Sequence, residues 1–126
     1  MTFPTISTKA TNITITPALS VLIDQKFESL GRLVNDREEL FCEIELEKIG
    51  EHQSGKIYRA EVNFSSGGKL FRTEATEEQI EKAIDEVRNE LKKELQRAHG
   101  KRQSLWKRGR QAIKRMLLSG DAPEEV

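Results

Sequence analysis

Two hydrophobic periods alternate along this chain, and where each begins and ends predicts its elements. Thr11 to Thr16 reads Thr-Asn-Ile-Thr-Ile-Thr, with Ile13 and Ile15 on one side. A period of two predicts a short strand there, after an extended or loose N-terminal lead over residues 1–10. Thr16-Pro17 supplies a capping hydroxyl and then a proline at the first helical position, where its missing N–H costs nothing. Leu19, Leu22, Ile23, Phe27, Leu30 and Val34 follow at helical spacing, up to Asn35-Asp36. Residues 41–48 return to a period of two, setting Cys42, Ile44 and Leu46 against Glu43, Glu45 and Glu47. Such a segment is a strand with one dry and one wet face. A third strand, Ile57 to Phe64, puts Tyr58, Ala60, Val62 and Phe64 opposite Arg59, Glu61 and Asn63. Ser65-Ser66-Gly67-Gly68 reads as a hairpin turn, and Lys69 to Ala75 as the fourth strand. The longest periodic stretch runs from Thr76 to about Met116. Thr76 and Gln79 have the spacing of a capping box. Ile80, Ala83, Ile84, Val87, Leu91 and Leu95 then draw one apolar stripe down a helix.

The element order β-α-β-β-β-α predicts an α+β fold. Four strands with one apolar face each, and two amphipathic helices, make a two-layer sandwich: a four-stranded mixed sheet with both helices on one face. A right-handed first crossover makes strands one and two parallel if they are neighbours, and the rest form an antiparallel meander. This arrangement is similar to double-stranded-RNA-binding domains. The expected organisation is a lead over residues 1–10, a domain over 11–100, and a basic extension over 101–126 with a disordered acidic end.

Charge changes the picture more than composition does. The 126 residues carry 21 Lys and Arg against 21 Asp and Glu, yet the balance is split along the chain. Residues 1–87 hold 10 bases and 16 acids, whereas residues 88–120 hold 11 bases and 2 acids. Charge segregated in this way points to a polyanionic partner. On the long helix Lys93, Arg97 and Lys101 are spaced by four and stack on one side, while Arg88 and Lys92 pair nearer the other edge of the stripe. Beyond them Lys101, Arg102, Lys107, Arg108 and Arg110 surround Trp106, which either stacks on an unpaired base or packs back near Leu105 and Ile113. Ile113, Met116, Leu117 and Leu118 give the tail an amphipathic side, so an anionic membrane surface also fits. That apolar side is short, which favours nucleic acid.

Catalytic chemistry is poorly supplied. His52 lies in a polar loop and His99 in a basic run, neither beside a Ser, Cys or Asp at a useful spacing. The single cysteine, Cys42, excludes an intrachain disulfide and a cysteine metal site, and reads as a small core residue. The Glu43, Glu45 and Glu47 row reads as a solvated sheet face. No enzymatic activity, cofactor or metal is expected. No apolar run is long enough to span a membrane, and the N-terminus lacks the features of a signal peptide.

At this point the sequence resembles a known family, the ribosome hibernation promoting factors, also called ribosome-associated inhibitor A or sigma-54 modulation proteins. The resemblance covers about residues 11–101. It rests on Asn12-Ile13-Thr14-Ile15-Thr16-Pro17-Ala18-Leu19, on Lys26-Phe27 and Leu30, and on Ile44-Glu45-Leu46-Glu47-Lys48. Ala83-Ile84-Asp85, with Lys93, Arg97 and Lys101 after it, completes the set. The resemblance implies binding to the small ribosomal subunit in its decoding channel and inhibition of translation in resting or stressed cells. It also implies contacts to 16S rRNA from Lys26, Lys93, Arg97 and Lys101. Glu90 departs from the family pattern, in which a base is common, and so does the turn Thr76–Lys82. With about 25 residues after Lys101, the expectation is a short form without the second, ribosome-pairing domain of long members. The expected partners are therefore the small subunit and its 16S rRNA, without DNA or membrane, for a cytoplasmic protein that is a monomer off the ribosome. A general double-stranded-RNA-binding module is the alternative, and a membrane-surface or adaptor domain a further one.

Overall fold

A computed structural model describes residues 3–34, 37–50 and 55–119, with the side chains of 101–106 and 117–119 outside the description. The elements are β1 (Ile6–Thr11), α1 (Pro17–Glu28), a 3₁₀ helix (Ser29–Leu33), β2 (Leu40–Lys48), β3 (Tyr58–Ser66), β4 (Lys69–Glu77) and α2 (Ile80–Ser119). The sheet order is β1-β2-β3-β4. The first pair is parallel, with Ile6 opposite Cys42, and the other two pairs are antiparallel. The chain separates into two compact units, Met1–Leu95 and Gln96–Val126, each described by itself.

The first unit is a two-layer sandwich. On the sheet's inner face Cys42, Ile44 and Leu46 lie beside Ala60, Val62 and Phe64, and these beside Phe71 and Thr73. From α1 and the 3₁₀ helix Leu19, Ile23, Phe27 and Leu30 are buried, and from α2 Ala83, Ile84, Val87, Leu91 and Leu95. Each buried Val, Leu, Ile or Phe among them stabilises the fold by roughly 1.5–3 kcal/mol. Both helices lie on this one face: Phe27 and Phe64 both pack on the Phe3 ring, and the Thr73 hydroxyl donates to the Val87 carbonyl at 3.1 Å.

Two helix starts had a sequence signature, and one of them formed. Thr16 is extended, and its Oγ1 accepts from the Leu19 N–H at 3.1 Å, with Pro17 opening α1. The capping box at Thr76 does not form. Thr76 and Glu77 continue β4, opposite Arg59 and Tyr58, and α2 begins at Ile80 with the Ala83 N–H bonded to the Gln79 carbonyl. Pairing to β3 outcompetes a local hydroxyl cap because it satisfies several backbone groups at once. The first strand also lies elsewhere than expected. It runs over Ile6–Thr11, and Asn12, at φ 58°, turns the chain out of it before Ile13 and Ile15. Asparagine tolerates this left-handed conformation better than most residues. The N-terminal segment is thus part of the fold, and Phe3 is a core residue stacked 5.4 Å from Phe64. The helical pattern up to Val34 resolves into α-helix as far as Glu28 and then 3₁₀ helix.

The hairpin between β3 and β4 follows its sequence. Gly67 and Gly68 both have positive φ, as a two-residue turn that matches strand twist demands. A Cβ on Gly67 would come within 2.8 Å of Glu38, whose carboxylate accepts from Ser66 Oγ at 2.5 Å. Asn35-Asp36, the loop that holds His52, and the acidic end fall outside the described residues.

Candidate nucleic-acid interface

The first unit places its basic residues through one side chain that joins the two helices. Arg88, in the third turn of α2, donates from Nε to the Lys26 carbonyl at 3.1 Å. Its Nη2 donates to Ser29 Oγ at 2.6 Å and its Nη1 to Asn89 Oδ1 at 3.1 Å. A planar guanidinium suits such a fork because its donors diverge in fixed directions. The Lys26 ammonium meets the Asp85 carboxylate from the neighbouring turn of α2. Lys26, Asp85 and Arg88 therefore form one cluster over the seam between the helices. Lys92, half-buried, follows Arg88 by one turn. Lys93 is exposed and pairs with Glu90 at 3.3 Å, and Arg97, one turn further and also exposed, belongs to the second unit.

Of the residues singled out from sequence in this unit, the structure brings Lys26 and Arg88 together and gives Arg88 a positioning role inside the protein. One participant, Ser29, had no sequence signal, and Asp85 carried none for this pairing. Ser29 and Asp85 become partners only through the packing of α2 on α1, across 59 positions for each of the pairs Arg88–Ser29 and Asp85–Lys26. Arg32 lies in the last turn of the 3₁₀ helix as an exposed base close in sequence to Ser29.

The second unit carries the other candidates on the continuing helix. Residues 107–116 are exposed throughout. At 3.6 residues per turn, Lys107 and Lys114 fall together, Arg108 and Arg115 beside them, and Arg110 on their other flank. Ile113 and Met116 occupy the remaining side, and Ile113 is 60% exposed. No acid occurs between Gln96 and Ser119, so along this stretch of the helix the bases alternate with no carboxylate. Lys101, Arg102 and Trp106 have helical backbone, and the two readings of Trp106 concern a side chain outside the described residues.

The sheet's wet face has a different character. Several of its acids are engaged by cations on the same or an adjacent strand: Arg59 reaches Glu61 at 2.5 Å, Glu74 at 2.9 Å and Glu47 at 3.6 Å, and Lys9 reaches Glu43 at 3.4 Å. Glu61 and Glu74 stand directly opposite, a like-charge pairing that the guanidinium relieves. The hydrogen bond from Arg59 holds the Glu74 carboxyl below the usual carboxylate range and raises the pKa of Arg59 itself. This face offers a polyanion little uncompensated positive charge. Among the described residues, no group of three His, Cys, Asp or Glu is placed to hold a metal ion, and no helix is long and apolar enough to cross a membrane. Cys42 is fully buried, and burial, with the Glu43 charge second, pushes its thiol up to about 12.

Residues 6–103 match the family described as Sigma 54 modulation protein / S30EA ribosomal protein. The fold is similar to the Protein Y N-terminal domain of Thermus thermophilus, with a TM-score of 0.61 and 27% identity, over 73% of this chain and 96% of that one. It is also similar to a ribosomal subunit interface protein from Coxiella burnetii, with a TM-score of 0.59 and 18% identity, over 75% and 97% of the two chains. The second likeness is one of fold. Sequence comparison with curated proteins gives no match.

Proposed function

This chain belongs to the Sigma 54 modulation protein / S30EA ribosomal protein family, a ribosome-associated family, and from that premise we propose that it is a hibernation factor of the small ribosomal subunit. In this reading it binds 16S rRNA in the decoding channel and blocks translation under stress or in stationary phase. It does so by occupancy, without catalysis. The observation that carries the reading is the Arg88 bracket. By tying α2 to the end of α1 it fixes Lys26, Lys92 and Lys93 in a constant spatial relation. Rigidly spaced cations read the shape of folded RNA, whereas loosely held ones supply attraction alone. Lys101, Arg102, Trp106, Lys107, Arg108 and Arg110 then add affinity with less discrimination.

The test is co-sedimentation with 30S subunits, 70S ribosomes, generic duplex RNA and anionic vesicles, each over a range of salt. The proposal expects retention on 30S and 70S particles well above that on duplex RNA. With six phosphate contacts, the slope of log K against log salt is roughly −4 to −5. Equal binding to all RNAs would identify a general RNA-binding module. Binding to vesicles alone would identify the extension as a membrane-surface helix.

A further inference from the structure

Among the described residues β1 pairs only with β2, so the other side of Ile6–Thr11 presents a row of backbone N–H and C=O groups that the described sheet leaves unmet. Open edges of this kind are templates for an added strand, and proteins blunt them with charge, proline or a covering element. Here Pro4 stops pairing just before the strand. Within the strand the single charge, Lys9, is drawn to Glu43 on the neighbouring strand. Beside the beginning of this edge a cleft of about 460 Å³ opens between Phe3–Ile6 and one side of α1. Val21 lies in it, 54% exposed on a helix whose opposite side is core. Asp24 and Glu28, one turn apart, form its rim and make no hydrogen bond or ion pair with any other described residue.

Unmet backbone groups, an aliphatic floor and an uncompensated acidic rim together specify an occupant. The geometry points to the β1 edge as a docking site for an extended basic peptide segment of a partner protein, added as a fifth strand beside Ile6–Thr11. In an added strand every second side chain faces the helix layer, as Ile6, Thr8 and Ala10 do in β1. A lysine there lays its methylene stem over Val21 and carries its ammonium to Asp24 or Glu28. Main-chain bonds supply affinity and the rim supplies specificity. The acidic rim disfavours RNA and anionic lipid. It also disfavours a second copy of this chain, whose own β1 would bring an identical acidic rim and a lysine already engaged. This site shares no residue with the basic set discussed above and does not depend on the ribosomal reading.

The probe is a fluorescent acetylated octapeptide, (Lys-Thr)4, titrated into the full chain by anisotropy. Two versions carry backbone N-methyl groups, one on every lysine and one on every threonine. Only one of these sets points toward β1, so one version is expected to bind at least tenfold more weakly and the other like the parent. A doubly reversed variant, Asp24→Lys with Glu28→Lys, alters exposed helix positions only and is expected to lose at least tenfold. Amide exchange is expected to slow in Ile6–Thr11 on binding. Four results would overturn the proposal: no binding at millimolar peptide, equal binding of both methylated versions, equal binding of (Glu-Thr)4, or self-association of the chain through β1 that the peptide does not displace.

Discussion

The two parts of α2 obey different physics. From Ile80 to Leu95 the helix is held by what it touches: six apolar side chains are buried, and Thr73 and Arg88 tie it to β4 and α1. Its charges are mostly answered, Asp85 by Lys26, Lys93 by Glu90 and Lys82 by Glu77. From Gln96 to Ser119 bases run without an acid, and residues 107–116 are all exposed. Most helical stability in proteins comes from a packed face, so the first part is an element of the fold. The second is a display of charge that rests on the modest propensity of Lys, Arg, Gln, Leu and Ala. Helical continuity along a sequence is therefore no guide to which residues bear on stability and which on partners.

The sharpest way to break the comparison is to truncate one apolar residue in each part. Leu91→Ala removes a fully buried side chain and is expected to destabilise the chain by about 2–5 kcal/mol in urea unfolding. Ile113→Ala is expected to stay within about 0.5 kcal/mol. Comparable losses would mean that Ile113 is packed.

Charge reversal sharpens the contrast next. Replacing Lys93 and Arg97 with Glu is expected to abolish preference for ribosomes over generic RNA. Replacing Lys107, Arg108 and Arg110 with Glu should weaken both alike and reduce the salt slope by about one unit per lost phosphate contact. If the second set alone destroys ribosome preference in competition sedimentation, the extension is the specific reader.

A smaller effect is expected where the first part is bracketed. Arg88→Ala leaves the Lys26 carbonyl and Ser29 without their donor and is expected to cost about 1–3 kcal/mol. Arg88→Lys should not restore it, because an ammonium lacks the fork. Chemical shifts of Lys26 and Ser29 amides would report the loss locally.

The smallest effect is a pH dependence at the helix start. Glu86 and Glu77 share a hydrogen bond that raises the Glu86 carboxyl and lowers that of Glu77. Glu77 is itself buried. A raised carboxyl stabilises the fold fully below the ordinary value of about 4.5, and that contribution is lost as pH rises through the raised value. Glu77 and Glu74 run the other way, contributing above about 4.5 and losing it on acidification. Glu86→Gln mimics the protonated form, so urea midpoints should show it more stable than the parent at pH 7, with the advantage shrinking toward pH 4.

The sheet interior was legible because its period of two is strong: β2 and β3 have their apolar sets at Cys42, Ile44, Leu46 and Ala60, Val62, Phe64, and the Gly-Gly turn sits where expected. β1 was misplaced because Ile6 is its only large apolar residue, while the stronger alternation at Ile13 and Ile15 lies past a left-handed Asn12. Thr76 has the chemistry of a cap, yet register with Arg59 claims it for the sheet. Of the candidate interface, the list of bases could be read from charge segregation alone. The bracket could not, because a guanidinium bonded to a main-chain carbonyl 62 positions away leaves no trace in side-chain pattern.

The burial of Cys42 makes this chain its own unfolding clock. A thiol at 0% exposure, pushed up to about 12, is closed to alkylating reagents while β2 stays in the sheet. Its labelling rate therefore counts excursions that expose the centre of the sheet, with no engineered reporter. A single cysteine placed at an exposed position could be modified selectively in the native protein, leaving the natural one silent.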